Sequence, residues 1–255
     1  MVRGLDIFRE HFSDHVDSYV LIGGAACTVV MEEEGLEFRA TKDLDVVLYV
    51  EAIKGDFPRS FWDFIEKGGY LNRQKSTGKD IFYRFYSPEN ENFPAMIELF
   101  SRIPDFINLS PKSHLTPIPT NELIASLSAI LMDDEYYHFA HSGKLNYSGL
   151  SILGPSHLIP LKARAWLDLV RSQASGIHVD KKDIRKHRND VFRLYQLLSP
   201  ETRTFLSRGI RHDMKTFVQN LRNDQTLDIR SLGIRRTTLD EVFENLIDIY
   251  GLEGN

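Results

Sequence analysis

The sequence predicts an α+β fold, in which a small mixed β-sheet with flanking helices is followed by a mostly helical part. In the first part, short β-rich apolar runs alternate with helical segments, whereas later residues repeat apolar side chains at the 3.6-residue helical period. Between the two parts, residues 105–120 contain three prolines and few helix formers, which is typical of a connecting segment. We therefore predict two domains, residues 1–119 and residues 120–255.

The first domain is expected to alternate helices with strands. Helices are predicted at residues 4–16, at residues 25–34 and from Pro58 onward. Strands are predicted at residues 18–22, 43–50, 79–86 and 95–103. Proline suits the first turn of a helix, and Gly35 is a suitable C-cap because glycine adopts the left-handed conformation without steric cost.

The second domain is expected to be mostly helical, with one hairpin. Helices are predicted at residues 121–134, 160–172, 181–198, 200–220 and 238–250, from their apolar periodicity. Residues 136–153 contain Gly143 and Gly149 and are expected to form the hairpin. Pro160 is placed at the first helical position of its segment, where a missing N–H costs nothing.

Composition indicates a globular protein without disulfides. Apolar residues make up 42% and charged residues 26% of the chain, and Cys27 is its one cysteine. The N-terminal residues are polar, and no apolar stretch approaches the roughly 18 residues that span a membrane. We therefore expect a cytoplasmic protein without a membrane partner. The net charge of −5 gives the whole chain no general attraction for nucleic acid.

Two acidic residues at the start of a predicted strand are candidate metal ligands. Asp43 and Asp45 are one residue apart, so their side chains share one face of the strand, about 6.5 Å apart. Such a pair suits two hard divalent cations that bind phosphate oxygens. The preceding Gly23-Gly24 turn would let a phosphate approach backbone N–H groups. Solvated charges at a strand end are the alternative.

A third carboxylate, Glu98, lies within the apolar run of residues 95–100. A carboxylate in such a run is costly unless it is paired or binds a cation. If its strand pairs with the Asp43 strand, Glu98 completes a three-carboxylate cluster. The alternative is a Glu at a solvated edge of the sheet.

The second candidate region is the predicted helix that follows Pro160. With Pro160 at the first position, Lys162 lies in the first turn, where free N–H groups favour anions. It also falls on the apolar stripe of the helix, so the alternative is a lysine whose stem packs on the core while its ammonium reaches water. The next helix has a basic face for which solvation and phosphate contact both remain open; its members are Lys182, Arg185, Lys186, Asn189 and Arg193.

These motifs resemble the DNA-polymerase-beta-like nucleotidyltransferase superfamily, and within it the AbiEii-type toxin family. The resemblance implies a nucleotidyltransferase-like sheet in which Asp43, Asp45 and Glu98 bind two Mg²⁺, or Mn²⁺. The residues that match the family pattern are Gly23, Gly24, Arg39, Thr41, Asp43, Asp45, Glu98, Lys162, Asp183 and Asp190. The turn, Arg39 and Thr41 are implied to contact the nucleotide, Lys162 its phosphates, and Asp183 to be required for activity.

The resemblance implies an enzyme that moves a nucleoside monophosphate from an NTP to an acceptor hydroxyl. The acceptor would be a tRNA end or a protein side chain, and the chain would be the toxin of a toxin–antitoxin pair, with a cognate antitoxin protein as partner. Two alternatives remain: a catalytically silent protein that senses a nucleotide or a partner, and a kinase-like phosphotransferase on the same fold.

Overall fold

A mixed sheet forms the centre of the first part of the chain. The computed structural model describes residues 2–50, 56–72, 83–102, 115–118, 127–222, 224 and 226–253, with only the backbone given for residues 115–118, 127, 128, 130 and 131. Its strands are β1 (Tyr19–Ile22), β2 (Asp43–Leu48), β3 (Arg84–Tyr86), β4 (Met96–Ser101), β5 (Leu115–Ile118), β6 (Leu127–Leu131), β7 (Lys144–Tyr147) and β8 (Leu150–Leu153). Their order is β5-β6-β4-β2-β1-β8-β7, and β3 also pairs with β4.

Parallel and antiparallel pairs coexist in this sheet. Strand β2 runs antiparallel to β1 and parallel to β4, and β1 runs parallel to β8. Buried strand residues such as Leu44, Val46 and Leu99 supply the apolar faces. With the helices described below, this arrangement confirms the predicted α+β class.

In the part of the chain that the structure describes, four α-helices accompany the sheet. They are α1 (Leu5–His11), α2 (Gly23–Glu33), α3 (Phe57–Gly68) and α4 (Asp134–Ser142). Helices α1 and α3 meet in an aromatic cluster in which the Phe12 ring lies 5.3 Å from that of Phe64 and 6.2 Å from that of Tyr19 on β1. All three side chains are fully buried, and such pairs add about 0.5–1.5 kcal/mol each beyond their buried area. The cluster therefore anchors both helices on the sheet.

The second part of the chain is helical. Its helices are α5 (Pro155–Ala174), α6 (Lys181–Tyr195), α7 (Arg208–Leu221) and α8 (Leu239–Tyr250). Helix α8 begins with a capping box, in which the Thr238 side chain accepts from the N–H of Glu241 and the Glu241 side chain accepts from that of Thr238. Helix α7 begins later than the predicted residue 200. Residues 201–207 are not helical, and the N–H of Thr204 donates to the carbonyl of Ile249 instead.

The chain forms two compact units, residues 1–32 with 39–153, and residues 33–38 with 154–255. The sequence prediction put the division at residue 119, whereas the compact units divide between Leu153 and Gly154. The reason is that the β7–β8 hairpin, although it follows the proline-containing segment, adds to the sheet beside β1. No helix among the described residues combines the length and apolar character needed to cross a membrane.

The helix predicted for residues 121–134 is wrong where the structure describes it. Residues 127–131 form β6, which pairs with β4 and with β5, while residues 121–126 lie outside the described part. A short apolar run of this kind satisfies both periodicities, and sheet pairing decides the outcome. The predicted hairpin is confirmed, but α4 precedes it, capped by Asp133, whose side chain accepts from the N–H groups of Glu135 and Tyr136.

Helix α5 contains Pro160 in its interior, which corrects the predicted start at this residue. The helix begins at Pro155, after the N-cap Gly154. A proline within a helix removes the hydrogen bond to the carbonyl four residues earlier, here that of Ser156. The Tyr250 hydroxyl donates to this carbonyl at 2.8 Å. Burial holds the pKa of this hydroxyl well above its ordinary value, so it remains a donor over the physiological range.

We expect Tyr250→Phe to lower the free energy of unfolding by about 1–3 kcal/mol, because the Ser156 carbonyl loses its donor. Urea denaturation followed by circular dichroism measures the change. Tyr147→Phe is the control, because this tyrosine lies on the edge strand β7 and is only partly buried. Equal stability of Tyr250→Phe and wild type would show that the hydroxyl does not compensate for Pro160.

Candidate active site

The turn between β1 and α2 brings backbone against an acidic side chain. Gly23 has a φ of +67°, and a β-carbon at this position would lie 1.7 Å from Oδ2 of Asp45. A β-carbon at Gly24 would lie 2.7 Å from Oγ1 of Thr41. The two glycines therefore allow the first turn of α2 to close against Asp45 and Thr41. The phosphate-binding role predicted for the backbone of this turn stays a prediction.

Three adjacent strands place charged side chains in one row. Asp45 on β2 is the register partner of Glu98 on β4, and Glu98 is in turn the partner of Arg84 on β3. Neighbouring strands lie about 4.8 Å apart, and paired residues face the same side of a sheet. Asp43 lies on that side too, two residues before Asp45. The strand pairing that the three-carboxylate prediction required is therefore present.

Arg84 neutralises the third carboxylate. Its Nε lies 2.6 Å and its Nη2 2.5 Å from Oε1 of Glu98. The Glu98 side chain is 14% exposed and that of Arg84 46%. The sequence alone does not reveal the role of Arg84, because its alignment with Glu98 depends on the antiparallel pairing of β3 with β4. The signal available in the sequence was a basic residue within the strand predicted at residues 79–86.

The donor set of this row fits a hard divalent cation, although the carboxylates are not gathered around one point. Among the described residues, no group of three or more His, Cys, Asp and Glu side chains is arranged to hold a metal ion. Asp43 and Asp45 are both partly exposed, and carboxylate oxygens are the preferred ligands of Mg²⁺. Asp43 also lines a surface cleft of about 390 Å³ beside Lys42 and Arg3. Glu98 would have to exchange Arg84 for the cation.

Lys162 lies in a buried ion pair, not in the first turn of its helix. It is the eighth residue of α5, and its Nζ is 3.5 Å from Oδ2 of Asp190 on α6. Their side chains are 6% and 0% exposed. Arg193 also contacts Asp190, at 3.3 Å. The predicted placement beside free N–H groups is wrong because α5 starts at Pro155, and the ammonium does not reach water either.

The other predicted residues are more exposed. Asp183 is on the surface of α6, where it pairs with Lys186 at 3.3 Å. Asp190, not Asp183, is the acidic partner of Lys162. Arg39 and Thr41 are partly buried in the segment before β2. Of the basic face predicted on α6, Arg193 contacts Asp190 and stacks over Phe38.

We expect Gly23→Ala to abolish activity while costing about 1–2 kcal/mol of stability from the left-handed backbone alone. The added methyl group would displace the Asp45 carboxylate. Gly35→Ala is a matched control, because Gly35 has a φ of +68° but no atom within 4 Å of its β-carbon position. Activity assays and thermal melts of both variants measure the two effects. Equal activity losses in the two variants would contradict a specific role for the Gly23–Asp45 contact.

The chain matches no protein-family model and no curated protein. Similar solved structures include the Megavirus polyadenylate synthase, at 10% identity and a TM-score of 0.37, covering 86% of this chain and 36% of that one. Another is JHP933 from Helicobacter pylori, at 11% identity and a TM-score of 0.38, covering 97% and 86%. The chain thus spans about a third of the viral enzyme. Likenesses this distant carry no argument about activity.

Proposed function

We propose that the chain is a metal-dependent nucleotidyltransferase that moves a nucleoside monophosphate from an NTP to an acceptor hydroxyl. The observation that carries this proposal is the register Ile22–Asp45–Glu98 across β1, β2 and β4. It brings the end of β1, and with it the Gly23-Gly24 turn, alongside Asp43, Asp45 and Glu98, which we call the carboxylate row. Phosphate-binding backbone and cation-binding carboxylates would then lie at the same edge of one sheet.

In this proposal Asp43 and Asp45 hold Mg²⁺, or Mn²⁺, with Glu98 as a third ligand once it leaves Arg84. The ions, when bound, would neutralise the triphosphate and lower the pKa of the acceptor hydroxyl. One carboxylate of the row accepts the proton of that hydroxyl. The acceptor oxygen then forms a bond to the α-phosphorus while the bond to the bridging α–β oxygen breaks, and pyrophosphate leaves.

The first turn of α2 supplies the other half of the proposed site. The turn itself contains no acidic residue, and a helix N-terminus favours phosphate. Arg39 and Thr41, in the segment that packs on Gly24, are proposed to contact the nucleotide. The proposed acceptor remains RNA or a protein side chain, with an antitoxin as partner and a cytoplasmic location.

Lys162 and Asp183 remain in the proposal with changed roles. Lys162 would reach a phosphate only by leaving Asp190, so its first role is to hold α5 against α6. Asp183 is exposed and close to Lys186, and we propose that it contacts the acceptor at the surface.

A catalytically silent nucleotide sensor is the second candidate function. The Arg84–Glu98 pair favours it, because a neutralised third carboxylate leaves two metal ligands. The two candidates differ in whether Arg84→Gln has an effect on turnover. In an enzyme, freeing Glu98 from Arg84 should change the rate, whereas a sensor has no rate to change.

The test is a transfer assay with each of four α-labelled NTPs, against total RNA and against lysate protein, in Mg²⁺, Mn²⁺ or EDTA. The proposal predicts label in one acceptor class, lost in EDTA and in Asp43→Asn. Nucleotide binding by the wild-type protein without label in any acceptor would support the sensor and contradict the enzyme.

A further inference from the structure

A cavity in the helical unit is not used by the proposed function. It has a volume of about 460 Å³ and lies between α5, α6 and residues 224 and 226, which follow α7. Cavities of about 300–1,000 Å³ are the usual size of small-molecule sites. We name it the α5–α6 pocket and define it by five of its lining residues, Trp166, Lys181, Ile184, Arg185 and Arg188.

A single face of α6 lines this pocket. The four residues that the helix contributes are spaced at i, i+3, i+4 and i+7, which places them on one side of a helix. They are Lys181, Ile184, Arg185 and Arg188. Asp190 lies two residues beyond Arg188, about 200° further around the helix. The pocket therefore uses a different face of α6 from the buried ion pair between Asp190 and Lys162.

Arg188 contributes a guanidinium that is fixed in place. The residue is 8% exposed. Its Nη1 donates to Oδ2 of Asp224 at 2.6 Å and to Oγ1 of Thr226 at 2.8 Å. Its Nε donates to Oδ1 of Asn189 at 3.1 Å. These bonds hold the guanidinium in one orientation, and the Asp224 carboxylate offsets its charge.

Lys181 and Arg185 give the pocket its excess positive charge. Both are exposed, and among the described residues no acidic side chain forms an ion pair with either. The two acids at the start of α6 are engaged elsewhere, since Asp180 caps the helix and Asp183 pairs with another lysine. The lining contains three cations and one carboxylate, that of Asp224, and therefore has a formal charge of +2.

Trp166 supplies a rigid apolar wall beside these cations. It is 7% exposed, and its ring packs edge-on against the buried ring of Phe217, with 5.3 Å between the centroids. Ile184 is partly buried and extends the apolar surface. An apolar wall with a few charged groups is the usual construction of a small-molecule site. The combination suits a ligand that carries an anionic group on a carbon framework.

We propose that the α5–α6 pocket binds a small phosphate monoester, with its phosphate between Lys181 and Arg185 and its carbon part against Trp166. The two cations are one helical turn apart, about 5–6 Å between their β-carbons, so one phosphate can contact both. A phosphate monoester carries close to two negative charges at neutral pH, which balances the charge of the lining. The site needs no metal ion and does not depend on the proposed nucleotidyl transfer.

The test follows the fluorescence of Trp166 in a Trp62→Phe background, because the chain has two tryptophans. Phenylalanine keeps an aromatic ring beside Phe85, which Trp62 contacts. AMP is the first probe, titrated into the full chain in EDTA. We expect a saturable change in the emission of Trp166, because the ligand excludes water from the indole.

Two further probes define the ligand. Inorganic phosphate should bind about tenfold or more weakly than AMP, because it has no carbon part to bury against the apolar wall. Ribose 5-phosphate distinguishes a sugar phosphate from a nucleotide as the ligand, and saturable binding of either monoester supports the proposal.

Lys181→Gln/Arg185→Gln should weaken AMP binding by about tenfold or more, since two charge-assisted contacts are lost. Both side chains are exposed, so we expect the fold to persist, and thermal melts check this. Arg235→Gln/Arg236→Gln is the matched control, because it removes the same charge at two exposed arginines before α8. It should stay within about threefold of the Trp62→Phe parent, because salt screens distant charges.

An equal loss in the two double variants, or no response of Trp166 to any of the three probes, would overturn the proposal. AMP binding that requires Mg²⁺ and is lost in Asp43→Asn/Asp45→Asn would also overturn it, because such binding belongs to the carboxylate row. Equal affinity for inorganic phosphate and AMP would contradict the assignment to a monoester. Saturable AMP binding in EDTA without any nucleotidyl transfer would instead refute only the proposed function.

Discussion

Asp45→Asn is expected to reduce nucleotidyl transfer by about a thousandfold, because cation-mediated stabilisation worth several kcal/mol is lost and each 1.36 kcal/mol is tenfold in rate. Asp45 is placed at the centre of the proposed site, between the register partners Ile22 and Glu98 and against Gly23. The measurement is the initial rate of α-label incorporation at saturating NTP.

The same variant should fold normally. Replacing a carboxylate by an amide removes repulsion from Asp43, so we expect an unchanged or slightly raised melting temperature. Asp63→Asn is the control, because Asp63 is an exposed acid on α3 in the same compact unit. Normal transfer by folded Asp45→Asn, or an equal loss in Asp63→Asn, would remove Asp45 from the site.

Asp190→Asn is expected to lower the free energy of unfolding by about 3–5 kcal/mol, the usual cost of removing one partner from a buried ion pair. It would leave Lys162 buried without its partner and would weaken the contact of Arg193. Lys162→Met should cost less, because Arg193 still compensates Asp190. Urea denaturation of both single variants and of the double variant gives the coupling energy of the pair.

Lys186→Met is the matched control for Lys162→Met. It breaks the exposed Asp183–Lys186 pair on α6, whose side chains are 53% and 37% exposed, and such pairs contribute about 0.5 kcal/mol or less. A zero coupling energy between Lys162 and Asp190 would contradict the structural role of this pair. Nucleotidyl transfer by Lys162→Met and by wild type must be compared at equal folded fraction. A difference in rate then reports on phosphate contact and not on stability.

Local sequence patterns predicted the features that depend on neighbouring residues. The Gly23-Gly24 turn at the end of β1, the shared face of Asp43 and Asp45, and the apolar strand around Glu98 all follow from two-residue alternation and glycine chemistry. The Glu98 prediction needed one further condition, the pairing of β4 with β2, which the sequence could state but not decide. That condition is met in the sheet.

The features that the sequence did not predict depend on distant partners. The sequence predicts a helix start at Pro160 because no neighbouring residue can replace its missing N–H. The donor that does so is the hydroxyl of Tyr250, which contacts the carbonyl of Ser156, 94 positions away in the sequence. The apolar spacing of residues 127–131 predicts a helix, because this spacing carries no information about their pairing with β4. Arg84 was missed for the same reason, since only the β3–β4 register reveals its contact with Glu98.

The most direct test of nucleotidyl transfer by the carboxylate row uses one NTP labelled on both the α- and γ-phosphates, with wild type and Asp43→Asn/Asp45→Asn side by side. We expect wild type to transfer the α-label to the acceptor and to release the γ-label in pyrophosphate, and the double variant to do neither. Transfer of the γ-label would identify a kinase-like phosphotransferase, and transfer of neither label despite NTP binding would identify a sensor. Either result would contradict the proposed enzyme.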